Sequence, residues 1–164
     1  MRPLSEREIR SSFINCTQGE AKRLHTPRGL ADIAWPELNF LGWRDLSAMT
    51  RNYLVAEQGD GLIGVAFRQA THKRHFLQRN MCSLCFTTHP GSGVALVSAR
   101  KAAKAGRRGD SVGLYMCTDM SCSLYARGKK VSGAMEPLEE TLSVDEKVAR
   151  LAVNLAEFLA KVIG

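Results

Sequence analysis

Acidic residues are scarce in the middle of this 164-residue sequence. Between residues 68 and 130 only Asp110 and Asp119 are acidic, against twelve Lys and Arg. That shortage leaves general acid–base chemistry few candidates there. Long apolar runs are missing too. No stretch approaches the roughly 18 apolar residues that cross a bilayer, so no membrane role is expected. The opening Met1-Arg-Pro-Leu-Ser-Glu-Arg-Glu has no apolar core of a secretory signal. No HExxH, no H-x-E with P-C-x-x-C, no Walker loop, GxGxxG or GxSxG is present. These absences predict a soluble cytoplasmic protein that is not an enzyme and has no small-molecule substrate. Paired cysteines in such a chain read as metal ligands before disulfides.

Charge is unevenly placed. Residues 1–67 hold eight basic and eight acidic residues, and residues 131–164 hold three and six, so the net +7 of the chain comes from the middle third. A module of that kind attracts an acidic partner, either nucleic acid or an acidic protein face.

The apolar pattern gives an α+β class. Residues 4–17 have loose helical spacing at Leu4, Ile9, Phe13 and Ile14, with Cys16 as a buried small residue. Residues 18–30 read as a loop containing His25, and Ala31–Trp35 as a short apolar stretch stopped by Pro36. Arg51–Glu57 and Leu62–Ala70 flank Gly59-Asp60-Gly61 and predict a hairpin. His72–Arg79, with His72 and His75, reads as a solvated basic connection. Val94–Ala99 and Ser111–Cys117 predict a second hairpin around a basic turn at Lys101–Asp110. Asp119–Arg127 predicts a short helix closed by Gly128, and Val131–Glu140 a linker. Ser143-Val-Asp-Glu146 is a capping box. It opens a C-terminal amphipathic helix whose apolar face carries Val144, Val148, Leu151, Leu155, Phe158, Leu159 and Val162. The domain division expected is an N-terminal helical segment over 1–38 and a metal-binding domain with the C-terminal helix over 39–164.

Four cysteines fall in two close pairs, Cys82-x2-Cys85 and Cys117-x4-Cys122, with 31 residues between. Four thiolates fill the tetrahedron of a structural zinc site. A C-x2-C pair suits a tight knuckle, while Cys117 ends a strand and Cys122 enters the next helix. Knuckle, hairpin and helix in that order make a treble clef. His89, in a Cys85-x3-His89 spacing, is the rival ligand, and with four thiolates in place it is expected at the surface or beside the ligands.

Phe40-Leu-Gly-Trp-Arg-Asp, Met81-Cys-Ser-Leu-Cys, His89-Pro-Gly-Ser-Gly-Val-Ala-Leu, Val112-Gly-Leu-Tyr-Met-Cys-Thr-Asp-Met-Ser-Cys-Ser-Leu-Tyr-Ala-Arg-Gly and Thr141-Leu-Ser-Val-Asp-Glu-Lys-Val-Ala-Arg-Leu together resemble the treble-clef domain of elongation factor G-binding proteins of the FusB type, linked to fusidic acid resistance. The resemblance runs over about residues 39–162. It implies a zinc site on Cys82, Cys85, Cys117 and Cys122. It also implies binding to elongation factor G, with help to the factor in leaving the ribosome. With about 40 residues ahead of it, the chain looks like a shorter, stand-alone form without the N-terminal helical bundle of the resistance proteins. Arg79, Arg100, Lys101, Lys104, Tyr125, Arg127 and Lys129 are the partner-contact candidates, chosen by charge and position. The alternative is a treble-clef module that binds ribosomal RNA without elongation factor G, since the same basic surface suits phosphates.

Overall fold

The computed structural model describes residues 1–71, 79–133 and 140–164. The predicted mixed class and treble clef are observed, and a single antiparallel sheet organises them. Strand β1 spans Leu41–Arg44, β2 Arg51–Gln58, β3 Gly61–Gln69, β6 Val94–Arg100 and β7 Ser111–Cys117, in the spatial order β1-β2-β3-β6-β7. Both predicted hairpins form. Gln58 pairs with Gly61 across a two-residue turn, and Val94 pairs with Cys117 along a ladder that ends at Arg100 and Ser111. Two short strands, β4 (Arg79–Met81) and β5 (Thr88–Pro90), bracket the first cysteine pair.

The C-terminal helix α5, Val144–Ile163, begins where the capping box places it: Ser143 Oγ accepts from Glu146 N–H and the Glu146 carboxylate accepts from Ser143 N–H. Its face of Leu151, Leu155, Phe158, Leu159 and Val162 is buried against one side of the sheet, where Phe158 stacks on Phe67 at 5.7 Å. Val144 lies outside that contact and is half exposed. Burying a stripe of this kind, at about 25 cal/mol per Å² of apolar area, is what fixes an otherwise marginal helix.

The N-terminal region covers the other side. The single helix expected over 4–17 is instead α1, Glu6–Ser11, and the loop expected over 18–30 contains α2, Gln18–Arg23. Each helix opens on its own capping box, Ser5/Glu8 and Thr17/Glu20. Between them the backbone is captured by β3. Ile14 N–H donates to Gly64 O, Gly64 N–H donates to Ser12 O, and the Asn15 amide exchanges two bonds with the Ala66 backbone. These strand-like bonds outcompete helical ones. Gly64 permits the approach, because a Cβ there would sit 2.5 Å from Ser12 Oγ and 3.0 Å from Phe13 N. Phe13, Trp43 and Tyr53 then meet in edge-on and tilted contacts over a second core with Ile9, Leu24 and Trp35. The start of the chain is tied down as well, with the Met1 ammonium donating to Trp35 O and Leu38 O.

The basic turn at 101–110 is more ordered than expected. It holds a short helix α3, Ala103–Arg107. Short helix α4, Cys122–Ala126, ends in a Schellman motif, with Lys129 N–H bonded to Leu124 O, Gly128 N–H to Tyr125 O, and Gly128 at φ +67°. His72, His75 and most of the connection that carries them, with the centre of the Val131–Glu140 linker, fall outside the described residues. Among the described residues no helix is long and apolar enough to cross a membrane.

Candidate metal centre

Three local structures aim four sulfurs at one point. The knuckle after β4 turns tightly, with Phe86 N–H donating to Cys82 O at 3.0 Å. Phe86 takes φ +60° to close that turn, a left-handed conformation costly for a residue with a Cβ. Its ring compensates in part by lying beneath the Arg150 guanidinium of α5, 4.5 Å away. Asn154 of α5 donates to Leu84 O at 2.9 Å, so the helix holds the knuckle from two points. Ser83 N–H donates to Tyr115 O, laying the knuckle along the outer edge of β7. Cys117 ends β7, and Cys122 begins α4.

The Sγ atoms of Cys82, Cys85, Cys117 and Cys122 all lie within 4.8 Å of one another, and all four residues are buried. Cys82 and Cys122 approach to 3.7 Å, and Cys85 and Cys117 to 3.6 Å. A tetrahedron with Zn–S bonds of about 2.3 Å has edges of about 3.8 Å. Donor set, spacing and burial therefore fit zinc of the structural kind. Contacts from Cys117, Cys122 and Cys85 hold the Cys82 thiol well below its ordinary range. Cys122 is pushed well above its own, by Cys117 first, then by Cys82, Cys85 and burial. Four thiolates this close cannot all ionise without compensation, and a divalent cation supplies it. Bound zinc contributes folding free energy and, with four sulfurs around it, leaves no open position.

His89 is buried rather than at the surface, the second of its two expected positions. It sits on β5 with Nε2 3.3 Å from Cys117 Sγ. A thiolate accepts only, which assigns the proton to Nε2 and makes His89 an orienting donor rather than a ligand. Burial lowers its pKa and favours the neutral ring this requires. Tyr125 packs edge-on against the imidazole at 4.8 Å and donates through its hydroxyl to Asp119 Oδ2 at 2.8 Å. Asp119 also accepts from Ser121 N–H and pairs with Lys130 at 2.8 Å, fixing the turn between Cys117 and Cys122. Burial would raise its pKa, but Lys130, Ser121 and Tyr125 together lower it. The spacing from Cys85 singled out His89, whereas nothing local in the sequence pointed to Asp119. Cys16 lies apart from the cluster, half-buried between α1 and α2, its thiol pushed up to about 11 by burial and by nearby Glu20.

The contact candidates split into two groups. Tyr125, Arg127 and Lys129 lie at the zinc end and have partners inside the chain: Arg127 donates to Asn39 Oδ1 and Ser123 O, and Lys129 pairs with Glu37. Arg79 is exposed on β4, at the entrance to the knuckle. Arg100, Lys101 and Lys104 lie at the opposite end of the β6–β7 ladder, six residues along β6 from Val94 and so about 20 Å away.

No curated protein matches the chain. A solved structure of the fusidic acid resistance protein FusC matches with a TM-score of 0.56 and 20% identity, over 88% of this chain and 54% of that one. That likeness is one of fold, and the chain spans about half the length of FusC. The family model described as the FBP C-terminal treble-clef zinc-finger matches residues 8–162, reaching further toward the N-terminus than the motifs at 39–162. With that match over most of its length and four buried cysteines in the required geometry, the chain belongs to the FBP C-terminal treble-clef zinc-finger family.

Proposed function

We propose that this protein binds elongation factor G through the face built around its zinc site, and that it acts at the ribosome in the cytoplasm to promote release of the factor. The observation that carries the reading is the family match over residues 8–162, joined to the FusB-type motifs in the sequence. The surface chemistry supports a protein partner at this end. Met81 and Phe86, on either side of the knuckle, are 47% and 38% exposed, and Leu96 and Tyr115, paired across β6 and β7, are 36% and 41% exposed. Met and aromatic side chains are enriched in protein interfaces. The zinc role in this reading is to hold the face rigid, and the chain acts by binding rather than by catalysis.

The test is titration of purified elongation factor G into the zinc-loaded protein by calorimetry at low salt. A saturable complex that Met81→Asp and Phe86→Asp weaken, while zinc content stays unchanged, is the expected result. No complex with the unaltered protein would sink the reading.

A further inference from the structure

Away from the zinc, an open groove of about 620 Å³ lies beside α2 on the side of the sheet that carries the N-terminal region. Four arginines line it: Arg23 from the end of α2, Arg51 from β2, Arg68 from β3 and Arg100 from β6. All four are exposed, and among the described residues none makes an ion pair within 4.0 Å. Arg51 and Arg68 stand directly opposite in the β2–β3 register. Like charges facing each other across a ladder destabilise a sheet. The two acids in the wall relieve this only in part: after the Thr17 bonds, Arg100 and Arg51 help to lower the Glu20 pKa from a distance, and among the described residues neither acid pairs with an arginine within 4.0 Å. Glu20 is engaged by Thr17 in the α2 capping box, and Asp45 accepts from Ser47 N–H, Ser47 Oγ and Tyr53 Oη.

We propose that this groove binds the phosphodiester backbone of RNA. A guanidinium is a planar fork that matches phosphate oxygens two at a time. The charge also continues past the groove. Gly109, on its wall, belongs to the turn that carries Lys101, Lys104, Arg107 and Arg108, and Ser111 directly follows that turn. A row this long suits an extended polyanion with one charge per repeat. An acidic protein segment fits less well, because protein interfaces gain most of their energy from buried apolar anchors. The apolar rings here, Tyr53 and Phe67, are already buried in the chain's own cores. His25 is the one exposed ring on the wall, so contact is chiefly to phosphates and largely independent of base sequence. The choice of RNA over DNA rests on the translation role proposed above.

The test is fluorescence anisotropy with the full, zinc-loaded chain and a short labelled single-stranded RNA of mixed sequence, at salt from about 50 to 200 mM. The groove variant Arg51→Gln/Arg68→Gln is compared with the charge-matched control Arg7→Gln/Lys161→Gln, and circular dichroism and zinc content verify folding of both. The groove variant is expected to bind about tenfold more weakly, with the slope of log K against log salt reduced by about 1.4, since each single-strand phosphate contact adds about 0.7. The control is expected to stay within about twofold of the unaltered chain. Equal losses in the two variants, or preference for DNA or poly-glutamate over RNA at matched charge, overturn the proposal. Binding of elongation factor G by the groove variant should be unchanged, so failure of this proposal and failure of the zinc-face reading are told apart.

Discussion

At one end of the β6–β7 ladder Val94 faces Cys117 among four buried sulfurs, and at the other Arg100 faces Ser111 beside exposed arginines. Both ends concentrate groups that repel one another when ionised. At the zinc end the repulsion is internal and buried, and a cation bound within the fold removes it. At the arginine end it is solvated, no internal counter-ion stands within 4.0 Å of the four groove arginines among the described residues, and the charge is presented outward. The difference shows how one basic chain holds two kinds of site. A buried cluster of like groups becomes part of the folding free energy, whereas an exposed one costs a little stability and remains open to a partner.

The largest way to break the comparison is at the zinc end. Cys117→Ser, or a strong chelator, should unfold the region around residues 79–130, because zinc binding worth about 10–16 kcal/mol in small zinc domains is folding free energy there. Far-ultraviolet circular dichroism read alongside zinc content checks this, and an unchanged spectrum after stripping the metal would make the cluster an ordinary core. A smaller loss is expected between the two ends. Gly64→Ala places a methyl against Ser12 and Phe13, and should lower the urea midpoint by the equivalent of up to about 3 kcal/mol.

Smaller again is an effect on the groove wall. Burial would raise the pKa of Asp45, yet donors from Ser47, Tyr53 and His25 hold it at about 2. A carboxylate whose folded pKa is depressed stabilises above its unfolded value of about 4, and that stability is lost as pH falls toward 2. Tyr53→Phe removes one donor, so it should cost about 1.5 kcal/mol at neutral pH. The acid-unfolding midpoint, followed by circular dichroism, should move upward. The smallest effect has the opposite sign. Arg68→Glu puts unlike charges opposite each other and should stabilise by about 0.2–1 kcal/mol, measured as a raised melting temperature at low salt. A lower melting temperature would mean that Arg68 already has compensation within the chain.

Much of the zinc end was legible in the sequence because its signals are local. Each cysteine pair lies within one turn or one strand–helix junction, and Ser143 with Glu146 marks the start of α5 at a fixed spacing. The arginine groove was not legible, for a physical reason. Arg23 and Arg51 lie in a third of the chain whose charges cancel, so counting by segment makes them neutral. Strand register then brings Arg51 beside Arg68 and Arg100, and the packing of α2 adds Arg23; both are long-range properties. The same explains the misread N-terminal region. Thr17 and Glu20 carried a usable capping signal, but the break at Ser12–Asn15 comes from bonds to Gly64 and Ala66, about 50 residues away.

The bond from Ser83 N–H to Tyr115 O does more than seat the knuckle, because it lies along the last strand of the sheet. An uncovered border strand offers unpaired amides and carbonyls to any neighbouring chain. Losing the ion would free the knuckle from that border, and self-association would then compete with refolding. Metal starvation would therefore show as turbidity at high protein concentration, alongside the loss of far-ultraviolet signal.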